Sequence, residues 1–206
     1  MCMGRTGTTI EEKRSERDAA AGRRETWSRT VSLLDRLGPR ICLMGPSNSG
    51  KSTLAVAVAR QRGLPAIHLD RLYHQPRTDW RPRPQAEFFR LHAEAIAEPQ
   101  WVMEGNYTSC IASRLARATG LILLDVSTAT SLLRYFRRTW CESDRKGALD
   151  GELDSVKWQM LHHIAVVTPR NRERYAAMFE ASALTKVRLA TRAALDGFYR
   201  AEALDR

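Results

Sequence analysis

Residues 45–52 read Gly-Pro-Ser-Asn-Ser-Gly-Lys-Ser and match the pattern GxxxxGK[ST] completely. Gly45 and Gly50 lack a Cβ, so backbone N–H groups can converge there on phosphate oxygens. An apolar segment, 41–44, precedes the loop, and an Ala- and Val-rich segment, 52–62, follows it. This order predicts a strand and then a helix whose positive N-terminal end is directed at the same phosphates. The stretch therefore predicts a phosphate-binding loop; the alternative is a glycine-rich turn before a helix.

Side chains at the end of this loop have separate expected roles. Lys51 would bridge the β- and γ-phosphates, and Ser52 would hold Mg²⁺ through its hydroxyl. Asn48 occupies the loop interior, where Asn tolerates left-handed backbone angles better than most residues do. The motif thus implies a nucleoside triphosphate bound together with Mg²⁺.

Strand and helix patterns alternate along the rest of the chain. Five apolar stretches predict strands: 41–44, 66–69, 101–104, 121–126 and 186–190. The predicted helices are 52–62, 85–97, 109–118, 130–140, 156–167, a continuation to about 180, and 193–204. Residues 71–84, rich in aromatic residues, Pro and Arg, predict a loop. Strands separated by helices favour an α/β fold with a parallel sheet covered on both faces.

Acidic residues close three of the predicted strands. Ligands collect at the carboxyl ends of the strands of an open parallel sheet. Asp125 and Glu104 could each supply a carboxylate to Mg²⁺ there, although Asp125 could also be an ordinary turn residue. Asp70 would lie beside the γ-phosphate, where it could accept a hydroxyl proton or position an acceptor, unless it only caps a helix. His68 alternates with apolar residues and predicts a buried, satisfied histidine.

Arginines after the fourth strand form a second group of candidates. Arg134, Arg137 and Arg138 share roughly one helix face by their i, i+3, i+4 spacing. Four more flank or follow the polar segment 142–154: Arg145, Arg170, Arg172 and Arg174. Arginines on a mobile flap can neutralise charge on a transferred phosphoryl group while they exclude water. A solvated helix face would show the same pattern.

Charge is the unusual feature of the composition. The 206 residues include 33 Lys+Arg against 23 Asp+Glu, a formal net charge of +10, and almost all of the positive charge is arginine. Because the guanidinium fork pairs bidentately with phosphate, this favours a nucleotide, a nucleic acid or an anionic membrane surface as partner. The alternative is an arginine-rich background of solvated helix faces.

Residues 1–38 differ from the rest and predict a partly disordered N-terminal extension that ends in an amphipathic helix. Its apolar residues recur at helical spacing: Trp27, Val31, Leu34 and Leu37. This helix could pack on the following domain, 39–206, or on a partner. No apolar run has the length of a membrane span or a signal peptide, and no Cys pair has CxxC or zinc spacing. A reducing cytoplasm is therefore the expected compartment.

Several motifs occur in a fixed order along the chain: Gly45–Thr53, His68–Tyr73 with Asp79-Trp80, Glu104–Tyr107 with Arg114, Leu123–Asp125, and Leu133–Arg138. This series resembles the bacterial DNA topology modulation (FlaR-like) proteins, within the adenylate-kinase-like P-loop kinases. Many families share the phosphate loop alone, whereas its combination with the LDRLY, Trp and EGNY motifs is much more specific. The resemblance covers about residues 40–180.

The resemblance implies a P-loop NTPase fold of the nucleoside-monophosphate-kinase type. Its three layers, α/β/α, would contain a five-stranded parallel sheet in the order 2-3-1-4-5, with a lid around 138–170. On this template the ATP-binding residues are Gly45, Pro46, Ser47, Asn48, Ser49, Gly50, Lys51, Ser52 and Thr53. Glu104–Tyr107 would contact a magnesium-bound water and the acceptor, and Arg114 would lie near the acceptor phosphate. Arg137 and Arg138 would lie at the start of the lid, and Arg170 and Arg174 would lie where the chain returns from it.

Two functions are compatible with these features. The first is an ATP- and Mg²⁺-dependent phosphotransferase acting on a nucleotide or another small hydroxylated acceptor. Its expected catalytic residues are Lys51, Asp70, Glu104, Arg137, Arg138 and Arg170. Its metal would bind to Ser52, Asp125 and Glu104, and its acceptor pocket would be lined by Tyr73, Trp80 and Tyr107. The second is a nucleotide-dependent regulator that binds DNA or a protein partner, as the net charge suggests.

Overall fold

The structure is a computed structural model that describes residues 31–78, 80–127, 130–131 and 168–206, the side chains of 168–170 excepted. All described helices and strands belong to one compact unit, Ser32–Arg206. Residues 1–30 of the predicted extension, 1–38, and most of the predicted lid lie outside the described residues.

Five strands form one parallel sheet: β1 (Arg40–Met44), β2 (Ala66–His68), β3 (Trp101–Glu104), β4 (Gly120–Leu124) and β5 (Thr185–Leu189). Their order is β2-β3-β1-β4-β5, which confirms the predicted order. Every residue of β3 and β4 is buried. This is expected of strands in a parallel sheet that is covered on both faces.

Helices connect and cover the strands: α1 (Leu33–Leu37), α2 (Lys51–Arg62), α3 (Leu69–Tyr73), α4 (Gln85–Ala97), α5 (Ile111–Arg117), α6 (Thr168–Ala181) and α7 (Arg192–Ala201). A 3₁₀ turn, Thr108–Cys110, leads into α5. None of these described helices is long and apolar enough to cross a membrane.

Side chains of the central strand divide between two apolar clusters. In the first cluster, Ile41 and Leu43 pack with α1, α2 and α7. In the second cluster, Cys42 and Met44 pack with α4, α5 and α6. Successive side chains of a strand point to opposite faces, so β1 contributes to both helical layers. The α/β/α architecture and the interpretation of Cys42 as a core residue are confirmed.

The described part of the predicted N-terminal helix packs into this core. Leu34 and Leu37 are buried in the first cluster, and Ser32 caps the helix by accepting a hydrogen bond from the Asp35 amide. A Cβ at Gly120 would lie 2.5 Å from the Leu37 carbonyl oxygen, so α1 rests directly on the start of β4. The helix therefore contributes core residues, and the extension that precedes it stays a prediction.

The segment after β2 differs from its prediction. The expected strand ends one residue early, at His68, and the first residues of the expected loop belong to α3. Leu69 and Tyr73 are separated by one helical turn, and both pack against the second cluster. Burial of these two side chains favours a short helix that the surrounding Pro and Arg residues had obscured.

Candidate functional site

The loop between β1 and α2 adopts the backbone that the motif predicts. Gly45, Asn48 and Gly50 have positive φ angles of 145°, 59° and 95°. The left-handed conformation expected of Asn48 is therefore confirmed. A Cβ at Gly45 would lie only 2.3 Å from the Leu124 carbonyl oxygen, so a larger residue cannot fit against β4 there. The remaining predicted loop residues, Pro46 to Thr53, follow in the loop and the first turn of α2.

Lys51 reaches back across this loop. Its Nζ donates a hydrogen bond to the Pro46 carbonyl oxygen at 2.7 Å. Burial lowers the pKa of the ammonium group, while the negative charges of Glu104 and Asp70 act to raise it. The structure thus brings these three predicted catalytic residues into one electrostatic neighbourhood.

Glu104, at the end of β3, is 4% exposed and uses one carboxylate oxygen as a double acceptor. Ser52 Oγ donates to Oε1 at 3.0 Å, and His68 Nδ1 lies 2.8 Å from the same oxygen. The parallel register explains the second contact, because His68 and Glu104 are partners in the β2–β3 pairing. No hydrogen bond from the described residues reaches Oε2.

The Glu104 carboxyl group is held in its ionised form. Burial alone would raise its pKa, but hydrogen bonding by His68, the charge of Lys51 and the Ser52 hydroxyl together keep that pKa below its ordinary value. An ionised carboxylate only accepts hydrogen bonds, so His68 Nδ1 carries the hydrogen and donates. Ser52 and Glu104 therefore present adjacent oxygen atoms, one of them charged.

Asp70 lies in the first turn of α3 and is held by Tyr107. The Tyr107 hydroxyl donates to Asp70 Oδ1 at 2.7 Å. Burial and the Asp70 charge raise the pKa of Tyr107 far above its ordinary value, so the phenol keeps its proton and donates. The Tyr107 ring packs 4.7 Å from the Tyr73 ring and 5.2 Å from the Phe88 ring, centroid to centroid. An aromatic cluster therefore borders the carboxylate.

The turn after β3 connects the separate parts of the site. Asn106 accepts a hydrogen bond from the Gly45 amide at 3.4 Å and donates from Nδ2 to the Gly45 carbonyl oxygen. Gly105 has a φ of 131°, and a Cβ there would lie 2.7 Å from the Leu69 Cβ. Sequence reasoning named this turn only by resemblance and missed the contact of Asn106 with the loop. The available signal was a polar motif directly after a fully buried strand.

Arg114 lies beneath this turn, wholly buried. Its Nη2 donates to the Gly105 carbonyl oxygen at 2.9 Å, while Nε and Nη1 have no hydrogen-bond partner among the described residues. Burial and the nearby Arg114 charge lower the pKa of His92 to about 4, which leaves that imidazole neutral. Proximity of Arg114 to an acceptor phosphate stays a prediction.

Asp125 lies on the other side of β1, after β4, in a different environment. Its Oδ1 accepts from Arg172 Nε, and its Oδ2 accepts from Arg188 Nε at 3.0 Å. Burial would raise the pKa of Asp125, but the hydrogen bonds from these two arginines keep it below its ordinary value. Both carboxylate oxygens are thus engaged by α6 and β5, and sequence reasoning anticipated neither partner. Arg188 was visible only as a charged residue in an edge strand.

Several predicted site residues lie outside the described part of the chain. They are Arg134, Arg137, Arg138 and Arg145, together with the body of the lid. Arg170 belongs to α6, but its side chain is not among those described. The roles assigned to these arginines stay predictions.

The donor set of Ser52 and Glu104 suits Mg²⁺. Hydroxyl and carboxylate oxygens are hard ligands, and protein-bound Mg²⁺ commonly keeps several waters and substrate phosphates as its other ligands. Within the described residues, no group of three or more His, Cys, Asp or Glu side chains could hold a metal. A metal here would depend on phosphate and water for the rest of its coordination.

Sheet order and loop position together define a P-loop NTPase α/β fold. No protein-family model and no curated protein sequence matches the chain. Among solved structures, the chain is similar to a gluconokinase from Sinorhizobium meliloti 1021. The alignment covers 82% of this chain and 96% of the gluconokinase chain, with 18% sequence identity and a TM-score of 0.42. A likeness of this degree leaves function to the geometry of the site, and the resemblance to FlaR-like proteins stays a prediction.

Proposed function

We propose that the protein is an ATP-dependent phosphotransferase that moves the γ-phosphate of ATP to a nucleotide or another small hydroxylated acceptor. The observation that carries the proposal is the grouping at the end of the glycine-containing loop: Ser52 donates a hydrogen bond to Glu104, and the charges of Glu104 and Asp70 act on the ammonium group of Lys51. A loop with a purely structural role would not need a lysine, two carboxylates and a hydroxyl together at the carboxyl edge of the sheet.

The triphosphate would bind to the loop. Backbone N–H groups of residues 45–52 and the N-terminus of α2 would receive the β- and γ-phosphates. Lys51 would exchange its hydrogen bond to Pro46 for hydrogen bonds to phosphate oxygens, which carry the opposite charge.

Ser52 and Glu104 would hold Mg²⁺. When bound, the ion neutralises charge that develops on the transferred phosphoryl group. Glu104 suits this role better than Asp125, because Glu104 Oε2 has no hydrogen-bond donor among the described residues while both oxygens of Asp125 are engaged by arginines. Asp125 could contribute only if Arg172 or Arg188 released it.

Asp70 would orient the acceptor hydroxyl and accept its proton. The hydrogen bond from Tyr107 fixes Asp70 Oδ1, and the other oxygen, which receives no hydrogen bond from the described residues, would accept from the substrate. Tyr73 extends the aromatic surface next to it and packs on the buried Phe88 ring, and such a surface suits a ring or a nucleobase. Arg137, Arg138 and Arg170 would close on the phosphoryl group from the lid.

A panel of acceptors tests the proposal. Purified protein with Mg²⁺ and ATP is offered nucleoside monophosphates, nucleosides and small hydroxylated metabolites, and ADP release is measured for each. Acceptor-dependent ADP release that Lys51→Ala abolishes would support the proposal. Release that is the same with and without every acceptor would indicate an ATPase instead.

The alternative, a nucleotide-dependent regulator that binds DNA or a protein, rests on the net charge of +10. A DNA-binding protein that neutralises several phosphates must lose affinity steeply as salt rises. Mobility-shift titrations at two salt concentrations, with and without ATP, distinguish the two functions. A steep, ATP-dependent salt slope without phosphoryl transfer would favour the regulator.

A further inference from the structure

His68 is a histidine whose surroundings connect it directly to the candidate site. It ends β2, its side chain is 7% exposed, and its Nδ1 donates to Glu104 Oε1. The sequence predicted only a buried, satisfied histidine. That prediction is confirmed, and the partner that satisfies the ring is the carboxylate at the centre of the proposed site.

We propose that His68 is a positioning residue that fixes the Glu104 carboxylate, so that Glu104 Oε2 stays available to Mg²⁺ or to its water ligands. This inference deepens the proposed function and rests on it. His68 itself would touch neither ATP nor the acceptor; it acts through Glu104.

Two donors that approach Oε1 from separate elements carry this inference. Ser52 comes from the first turn of α2, and His68 comes from the end of β2. A glutamate side chain has several rotatable bonds, so a single hydrogen bond leaves its second oxygen poorly placed. Two anchors on one oxygen confine the carboxylate plane and therefore the position of the other oxygen.

Ser52 cannot supply this restraint alone. A serine hydroxyl rotates freely, and in the proposed site its oxygen also binds the metal. The imidazole is a rigid, nearly buried ring whose backbone is paired in register with that of Glu104. Unlike Ser52, the imidazole would hold the Glu104 carboxylate in the same way with and without bound metal. Mutation of a residue that hydrogen-bonds to a metal ligand commonly lowers metal affinity or activity by about 10- to 100-fold.

The chain offers a matched set of variants. His68→Leu removes the donor and keeps the site apolar and filled. His68→Asn retains an N–H donor close to the position of the histidine Nδ1. His92→Leu is the control, because His92 is another buried histidine, 2% exposed, on α4, and no residue in the described part of the chain hydrogen-bonds to its Nε2. Thermal unfolding of all four proteins reports whether each variant is folded.

The primary measurement is the affinity for ADP by calorimetry, once with Mg²⁺ and once with a chelator. The ratio of these two affinities reports metal-side positioning without any need for turnover. We expect His68→Leu to reduce the ratio by about 10-fold, and His68→Asn and His92→Leu to leave it near the wild-type value. In turnover assays, His68→Leu should lower kcat/KM for Mg²⁺·ATP, and His68→Asn should change it little.

The inference is overturned if Mg²⁺ does not strengthen ADP binding to the wild type, or strengthens it equally in His68→Leu. Equal losses in His68→Asn and His68→Leu would also overturn it, since they would show a need for the ring rather than for the donor. A different result would contradict the proposed function while the inference on His68 stands. In that case the affinity ratio would depend on His68 as expected, but no acceptor in the panel would receive a phosphoryl group.

Discussion

Glu104 and Asp125 flank the central strand from opposite sides, yet their surroundings differ. Glu104, after β3, receives two hydrogen bonds on one oxygen and none from described residues on the other. Asp125, after β4, is bound on both oxygens by Arg172 and Arg188. The general rule that ligands collect at strand ends applies to both, but the neighbouring elements decide what each can do. The first carboxylate keeps one oxygen without a hydrogen bond from the described residues, whereas the second ties α6 and β5 to the sheet.

Of the variants considered, Lys51→Ala should have the largest effect on activity, because Lys51 belongs to the site around Glu104. Loss of the ammonium group removes the charge that would stabilise the transferred phosphoryl group, and we expect turnover to fall by about 1,000-fold or more. The fold should survive, because within the described residues the side chain makes a single hydrogen bond, to Pro46. Steady-state ADP release and circular dichroism measure the two effects.

Lys186→Ala is the control for that variant. Lys186 donates to carbonyl oxygens of Phe179, Glu180 and Ser182 at the end of α6, away from the loop. Its loss should lower the free energy of unfolding by about 1 kcal/mol and leave kcat unchanged. Wild-type phosphoryl transfer by Lys51→Ala would contradict the site.

Glu104→Gln and Asp125→Asn test the comparison itself. Glu104→Gln keeps shape but removes charge, so kcat should fall by about 100-fold with little change in stability. Asp125→Asn leaves two arginines without a carboxylate; since they are 40% and 44% exposed, we expect a loss of about 1–3 kcal/mol in the free energy of unfolding, less than for a fully buried pair.

Kinetics and urea unfolding on both variants separate the two roles. An Asp125→Asn protein with normal stability and a large loss of kcat would reverse the assignment. It would show that Arg172 and Arg188 release the carboxylate to the metal during the reaction.

Tyr107→Phe should have a smaller effect. It removes the hydrogen bond to Asp70 and leaves the ring stacked on Tyr73. A hydrogen bond to a charged group is worth about 1.5–3 kcal/mol, so we expect kcat/KM for the acceptor to fall by about 10-fold or more. KM for ATP should change little. Tyr175→Phe, a buried tyrosine on α6, is the control, and equal losses in both variants would argue against a role for Asp70 in orienting the acceptor.

The smallest expected effect concerns pH. Arginine partners lower the pKa of Asp125 in the folded protein, so the stability they contribute is fully present above the unfolded value of about 3.9. It is lost as the pH falls below that value and through the folded pKa. Free energies of unfolding measured from pH 6 downwards should therefore decline less steeply below about pH 4 in Asp125→Asn than in the wild type. Parallel acid limbs would mean that the ion pairs contribute nothing.

Local patterns predicted much of this molecule. The loop at 45–52, the helix 85–97 and the strand 101–104 follow from short-range motifs and periodicity, and the structure has them as predicted. The sheet order came from the resemblance, since nothing in the spacing of the segments defines it. Strand-end acids were also visible in the sequence, because charge after an apolar run is a local signal.

Partners across the sheet were not predictable in the same way. The contact of His68 with Glu104 depends on the register of β2 against β3, and that of Arg188 with Asp125 depends on β5 lying beside β4. These pairings join residues 36 and 63 positions apart, so no local window contains both partners. The sequence could therefore name the carboxylates but not tell which one was already engaged.

Calorimetric titration of the wild-type protein with ATP in the presence of Mg²⁺ tests the central claim most directly, provided it is run at two temperatures so that a vanishing binding enthalpy is not mistaken for no binding. Saturable binding of one ATP per chain, strongly weakened by Lys51→Ala and by chelation of Mg²⁺, is the predicted result. Absence of heat at both temperatures, for GTP as well as for ATP, would contradict the claim that residues 45–52 hold a nucleoside triphosphate.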